Sequence, residues 1–131
     1  MAEQKTQTKA SRGVAKKPDR VNIVGTEYSI EYCDKPSEVD IYKCSSLWGQ
    51  IDPWTRSIRV YDKDRTATDI WHTILHEIIH GIATDLHLSQ LKGDDCETTV
   101  DVLALALIDV LTRNGWLQIE EDSEPGLDKG S

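Results

Sequence analysis

Seven apolar residues, Ile70, Trp71, Ile74, Leu75, Ile78, Ile79 and Ile82, recur at helical spacing within one short stretch of the chain. At 100° per residue they fill one half of a helical wheel. Asp69, Thr73, His76, Glu77 and His80 form a polar stripe on the other half. A core must therefore hold this helix by its back, while the stripe is left to line a cleft. The spacing predicts a helix that begins near Thr68, with Thr66 or Thr68 as its cap.

The residues ahead of this helix read as strands. Val21–Val24 and Glu27–Tyr32 flank Gly25-Thr26, a short turn signal. Asp34, Pro36 and Ser37 mark a loop, and Leu47–Ile51 reads as a further strand. Asp52-Pro53 is a turn, and Ser57–Tyr61 alternates Ile58 and Val60 with Arg59 and Tyr61, the pattern of a half-buried strand. After the first long helix, a second is predicted from about Asp95 to Arg113, stopped by Asn114-Gly115. Its heavily apolar middle predicts that it is mostly buried. The fold class is therefore α+β, with a mostly antiparallel N-terminal sheet followed by two long helices.

The chain has 131 residues, enough for one modest core, and a net charge of −8. Residues 1–20 hold six basic groups against Glu3 and Asp19, and residues 117–131 hold five acidic groups against Lys129. The two ends cancel, which leaves −8 on residues 21–116. Large apolar side chains are nearly absent from the first 20 residues, so residues 1–20 are expected to be a disordered basic tail and 118–131 a flexible acidic one. The folded domain is expected over 21–117. An acidic domain disfavours nucleic acid as a partner, because phosphate contacts need a positive face. The longest apolar run, Val102 to Ile108, is too short to span a membrane. With no apolar signal segment and three cysteines outside any CxxC pair, the expected location is the cytoplasm.

His76-Glu77-Ile78-Ile79-His80 is an HExxH sequence placed on the helix. Residues four apart share one helix face, with Cβ atoms about 6 Å apart. Two imidazoles so spaced can converge on one zinc ion. Glu77 projects about 100° further round, where it can reach a water on that ion and act as general base. A hydrolytic zinc site needs a third protein ligand. One candidate is Glu97, with Asp101 one turn later on the same face, free to accept a hydrogen bond from a ligand imidazole. Glu97 also has capping-box spacing from Asp94. The other candidate is His87, but the longer motif would place glycine at 83 and histidine at 86, where this chain has Ala83 and Leu86. His72 extends the histidine row by a turn, yet lies about 12 Å from His80 along the axis, too far to share an ion with it. It reads as a first-turn helix residue, with contact to a ligand as the minority reading.

The combination of His76-Glu77-Ile78-Ile79-His80 with Glu97-x-x-x-Asp101 resembles the gluzincin pattern of zinc metallopeptidases. More closely it is similar to short HExxH proteins of phages and prophages, akin to the ImmA/IrrE metallopeptidases. The stretches 45–52, 57–61 and 100–106 share that likeness. The resemblance implies a small zincin-like domain in a bacterial host cell. It implies one zinc on His76, His80 and Glu97, Glu77 as general base, and Asp101 orienting a ligand histidine, His76 in the first place. It also implies a protein or peptide substrate that pairs with a strand before the active helix, here Ser57–Tyr61 as an edge. Two other functions fit the same residues: a three-histidine metal-dependent endoribonuclease using His76, His80 and His87, and a non-catalytic module stabilised by zinc.

Overall fold

A computed structural model describes residues 17–91 and 96–119. Their order is β1 (Arg20–Ile23), β2 (Thr26–Cys33), α1 (Pro36–Val39), β3 (Gly49–Asp52), β4 (Ser57–Tyr61), α2 (Ala67–Asp85), a 3-10 turn (Ser89–Leu91) and α3 (Glu97–Arg113). The class is α+β. The four strands form one mixed sheet in the order β1-β2-β4-β3. β1 with β2 and β3 with β4 are antiparallel, and β2 with β4 is parallel.

That order corrects the expectation of an edge at Ser57–Tyr61. β4 is bonded on both sides, to β2 and to β3, so its main chain has no free edge for a substrate. Ile58 and Val60 are wholly buried, worth about 1.5–3 kcal/mol each, which favours an interior position. The edge beside α2 is β3. The β1–β2 turn is also displaced by one residue from the expected place. Val24 and Gly25 both have positive φ, the geometry of a tight hairpin turn, and Asn22 Oδ1 accepts the Gly25 N–H at 2.9 Å.

The domain starts earlier than expected. The Pro18 carbonyl accepts the Tyr32 hydroxyl at 2.6 Å, the Asp19 carbonyl accepts the Ile30 N–H, and Lys17 pairs with Asp62 at 2.7 Å. Residues 17–20 are thus bonded to the fold, while the rest of the expected tails of 1–20 and 118–131, namely 1–16 and 120–131, lies outside the described residues. The segment expected to be a loop at Asp34–Ser37 holds a single helical turn, with Pro36 in its first turn, where a missing N–H costs nothing.

α2 lies between the sheet and α3. Ile70 and Ile74, with Trp71, Ile78 and Ile82, pack on Ile23, Tyr28, Ile30, Ile58 and Val60 of the sheet. Ile79 and Leu75 pack on Val100 and Ala104 of α3. The apolar half of the wheel is therefore divided between two layers. Thr66 caps α2 by accepting the Asp69 N–H at 3.1 Å.

α3 departs from the expectation of a mostly buried helix. Val100, Ala104 and Ile108 are its buried seam, whereas Val102, Leu103, Leu105, Leu107 and Val110 are exposed. The composition is apolar on nearly every face, but α2 covers only one of them. Among the described residues, no helix is long and apolar enough to cross a membrane.

Candidate metal centre

α2 and α3 run side by side, and the polar stripe of α2 meets the first turns of α3. His76 Nε2 and His80 Nε2 are 3.1 Å apart. Glu97 Oε1 is 3.0 Å from His76 Nε2, and Glu97 Oε2 is 3.0 Å from His80 Nε2. Donor atoms bound tetrahedrally to an ion at 2.0–2.1 Å stand about 3.3 Å from one another, so the three residues fit a small divalent cation. His76, His80 and Glu97 could bind a metal ion.

The surroundings of His76 agree with that role. Its Nδ1 lies 3.1 Å from Asp101 Oδ1. A carboxylate can only accept, so the Nδ1–H donates to Asp101, and Nε2, which faces His80 and Glu97, is the nitrogen that would bind a cation. The expected partnership of Asp101 with His76 is present. Glu97 does not cap α3: the N-cap is Cys96, with no side-chain cap, and the Glu97 carboxylate faces the histidines instead. Asp94 and Asp95, the expected capping residue and helix start, lie outside the described residues.

Glu77 is buried at 7% exposure, against the β3 edge. Burial pushes its carboxyl up to about 7, and the nearby Glu97 adds to the rise. His76 and the Ile51 backbone N–H, which favour the charged form, oppose it. Glu77 and the three candidate ligands line a cleft of about 790 Å³, with β3, Trp48 and Arg65 on its other wall. Arg65 braces that wall. It donates to the Tyr61 carbonyl at 2.7 Å, the Asp69 carbonyl at 3.0 Å and Thr73 Oγ1 at 2.8 Å, and its guanidinium stacks 4.6 Å from the centroid of Trp48.

Close approach of β3 to α2 depends on Gly49. A Cβ there would lie 2.5 Å from Thr73 Cγ2 and 3.0 Å from Glu77 Oε2. Gly49→Ala is expected to destabilise the fold by about 1–3 kcal/mol and to displace the Glu77 carboxyl, measured by urea unfolding at pH 7. An unchanged midpoint would show that the strand can yield without cost.

Sequence reasoning missed Asp40, which anchors the loop leading into β3. Its Oδ1 accepts the Tyr42 N–H at 3.0 Å and the Gln50 amide at 2.9 Å, and Oδ2 accepts the Cys44 and Ser45 N–H groups at 3.0 Å each. These bonds hold its carboxyl below the usual aspartate range. The sequence gives no local signal for it, since its partners are assembled by the loop.

The remaining histidines differ in place. His87 does not line the cleft. It takes the left-handed conformation (φ 55°) that ends α2, where its N–H bonds to the Thr84 carbonyl and the Leu88 N–H bonds to the Ala83 carbonyl. His72 does line the cleft and faces Asp101. Compared with protein-family models, with curated proteins and with solved structures, the chain matches none.

Proposed function

We propose that the chain is a small zinc-dependent peptidase with a zincin-like arrangement of sheet and helices. The observation that carries this reading is the convergence of His76, His80 and Glu97 donor atoms beside a buried Glu77 carboxyl in one open cleft. Two imidazoles and one carboxylate suit zinc among the common divalent ions. When bound, zinc supplies Lewis acidity, polarising a carbonyl oxygen and acidifying water. Glu77 accepts a proton from water at its carboxylate and delivers it to the leaving amine. Asp101 holds the His76 ring. β3, with β4 on one side only, offers its other edge to an extended peptide through main-chain hydrogen bonds. The acidic balance of the chain favours a basic peptide over an anionic one.

The endoribonuclease reading requires His87 at the site, and His87 ends a helix outside the cleft. A purely structural zinc takes four protein ligands, and the described residues bring three together. The test is incubation of the zinc-loaded chain with a peptide library, read by mass spectrometry. New termini that disappear on chelation are expected. Identical spectra with and without chelator would overturn the peptidase reading.

A further inference from the structure

Asp101 also meets a second histidine of α2. His72 Nε2 lies 3.1 Å from Asp101 Oδ1 and bonds to the Asp101 main-chain carbonyl at 3.3 Å. Both groups only accept, so His72 Nε2 must be the protonated nitrogen. The same Oδ1 receives the Nδ1–H of His76 at 3.1 Å. Asp101 Oδ1 thus accepts the His76 Nδ1–H with the His72 ring nitrogen also beside it, and the Asp101 main chain is tied to His72, one turn earlier on α2. The His72 side chain is 23% exposed, so it is fixed against the helices and not swinging in solvent.

We infer that His72 is a positioning residue for the metal centre, acting through Asp101 on His76. It rests on the metal-site reading above. A carboxylate on an exposed helix face has several rotamers of similar energy, and Asp101 is half exposed. Bonded to the Asp101 main-chain carbonyl, the His72 Nε2–H lies 3.1 Å from Oδ1 and favours the rotamer that faces His76. That rotamer accepts the His76 Nδ1–H and orients the ring so that Nε2 faces His80 and Glu97. Partners of this kind change metal affinity by about 10–100-fold when removed.

The experiment is zinc affinity by competition with a chromophoric chelator, on full-length chains. His72→Phe keeps the ring volume without the donor, and is expected to bind zinc about 10-fold more weakly than wild type. His72→Gln places an amide N–H near the Nε2 position, and is expected to restore affinity to within about threefold. Phe and Gln variants of equal affinity would overturn the proposal, because a packing role would not distinguish them by their donor. A second measurement does not depend on any variant folding. Nitrogen-15 NMR of the metal-free wild type is expected to show His72 with its proton on Nε2. His72 protonated on Nδ1 alone would overturn the proposal. A wild type that takes up no zinc would refute the metal reading itself, and the NMR result would still decide whether His72 donates to Asp101.

Discussion

Glu97→Ala is expected to leave the chain folded while weakening zinc binding by more than about 100-fold. The Glu97 side chain is 57% exposed and bonds only to the two histidines in the described structure, so its loss opens no core cavity. What it removes is one of three donors and the only formal negative charge among them. Two imidazoles four residues apart then remain, and such a pair holds zinc weakly by comparison. Glu97→Gln separates the two contributions, because it keeps the side-chain length and removes the charge. The check is zinc content after dialysis, with circular dichroism to confirm that α2 and α3 persist. Stoichiometric zinc in a folded Glu97→Ala would falsify the ligand assignment, and the carboxylate would then be an ordinary partner of two histidines.

Glu77→Gln should have the second large effect, on two measurements in opposite directions. Hydrolysis is expected to fall by about 100- to 10,000-fold with zinc retained, since an amide cannot accept the proton. Stability of the metal-free chain is expected to rise at alkaline pH. The buried carboxyl has its folded pKa raised to about 7 from an ordinary 4.5, so the folded state binds the proton more tightly than the unfolded chain. Ionisation therefore works against folding. The penalty is absent below about pH 4.5, grows as pH rises towards 7, and is complete above that, on the order of a few kcal/mol. Glutamine is neutral throughout and still accepts from the Ile51 N–H. The metal-free variant should thus be more stable than wild type at pH 8 and similar to it at pH 4, by urea unfolding in chelator. Equal stability at both pH values would mean that the Glu77 carboxyl is solvated in the folded chain.

The local features of the fold were readable from the sequence because they rest on local physics. The threonine cap, placed at Thr66 or Thr68, the apolar half of the α2 wheel and the alternation of Ile58 and Val60 each depend on neighbours in the chain. The pairing of β2 with β4 was not readable, since nothing in Thr26–Cys33 or Ser57–Tyr61 records that they lie parallel and adjacent. The misplaced edge followed from that. An alternating strand is compatible with an edge or an interior position, and burial of both Ile58 and Val60 decides it only once the layers are known. The seam of α3 failed in a similar way: its composition is apolar throughout, and only the position of α2 singles out Val100, Ala104 and Ile108.

Within the candidate centre, the helical spacing of His76 and His80 needed one element, and the Glu97–Asp101 pair needed one more. Both spacings were visible. The roles of His72, Gly49 and Asp40 needed a contact between elements. His72 stands one turn before His76, but its acceptor lies 29 residues further on. Gly49 acts through the space it leaves for Thr73 and Glu77, and that space exists only after β3 has paired.

The donors are unequally anchored. His76 and His80 belong to the helix enclosed between two layers, whereas Glu97 belongs to α3, which rests on that helix along a narrow seam and turns most of its apolar surface outward. Any cation shared by these three residues therefore cross-links two parts of the fold, and its binding free energy is also adhesion free energy for α3. Occupancy and architecture become one equilibrium. Loosening α3 by a core substitution at Ala104 would lower cation affinity from a distance, and a tightly held cation would in turn stiffen the wall that shapes the cleft.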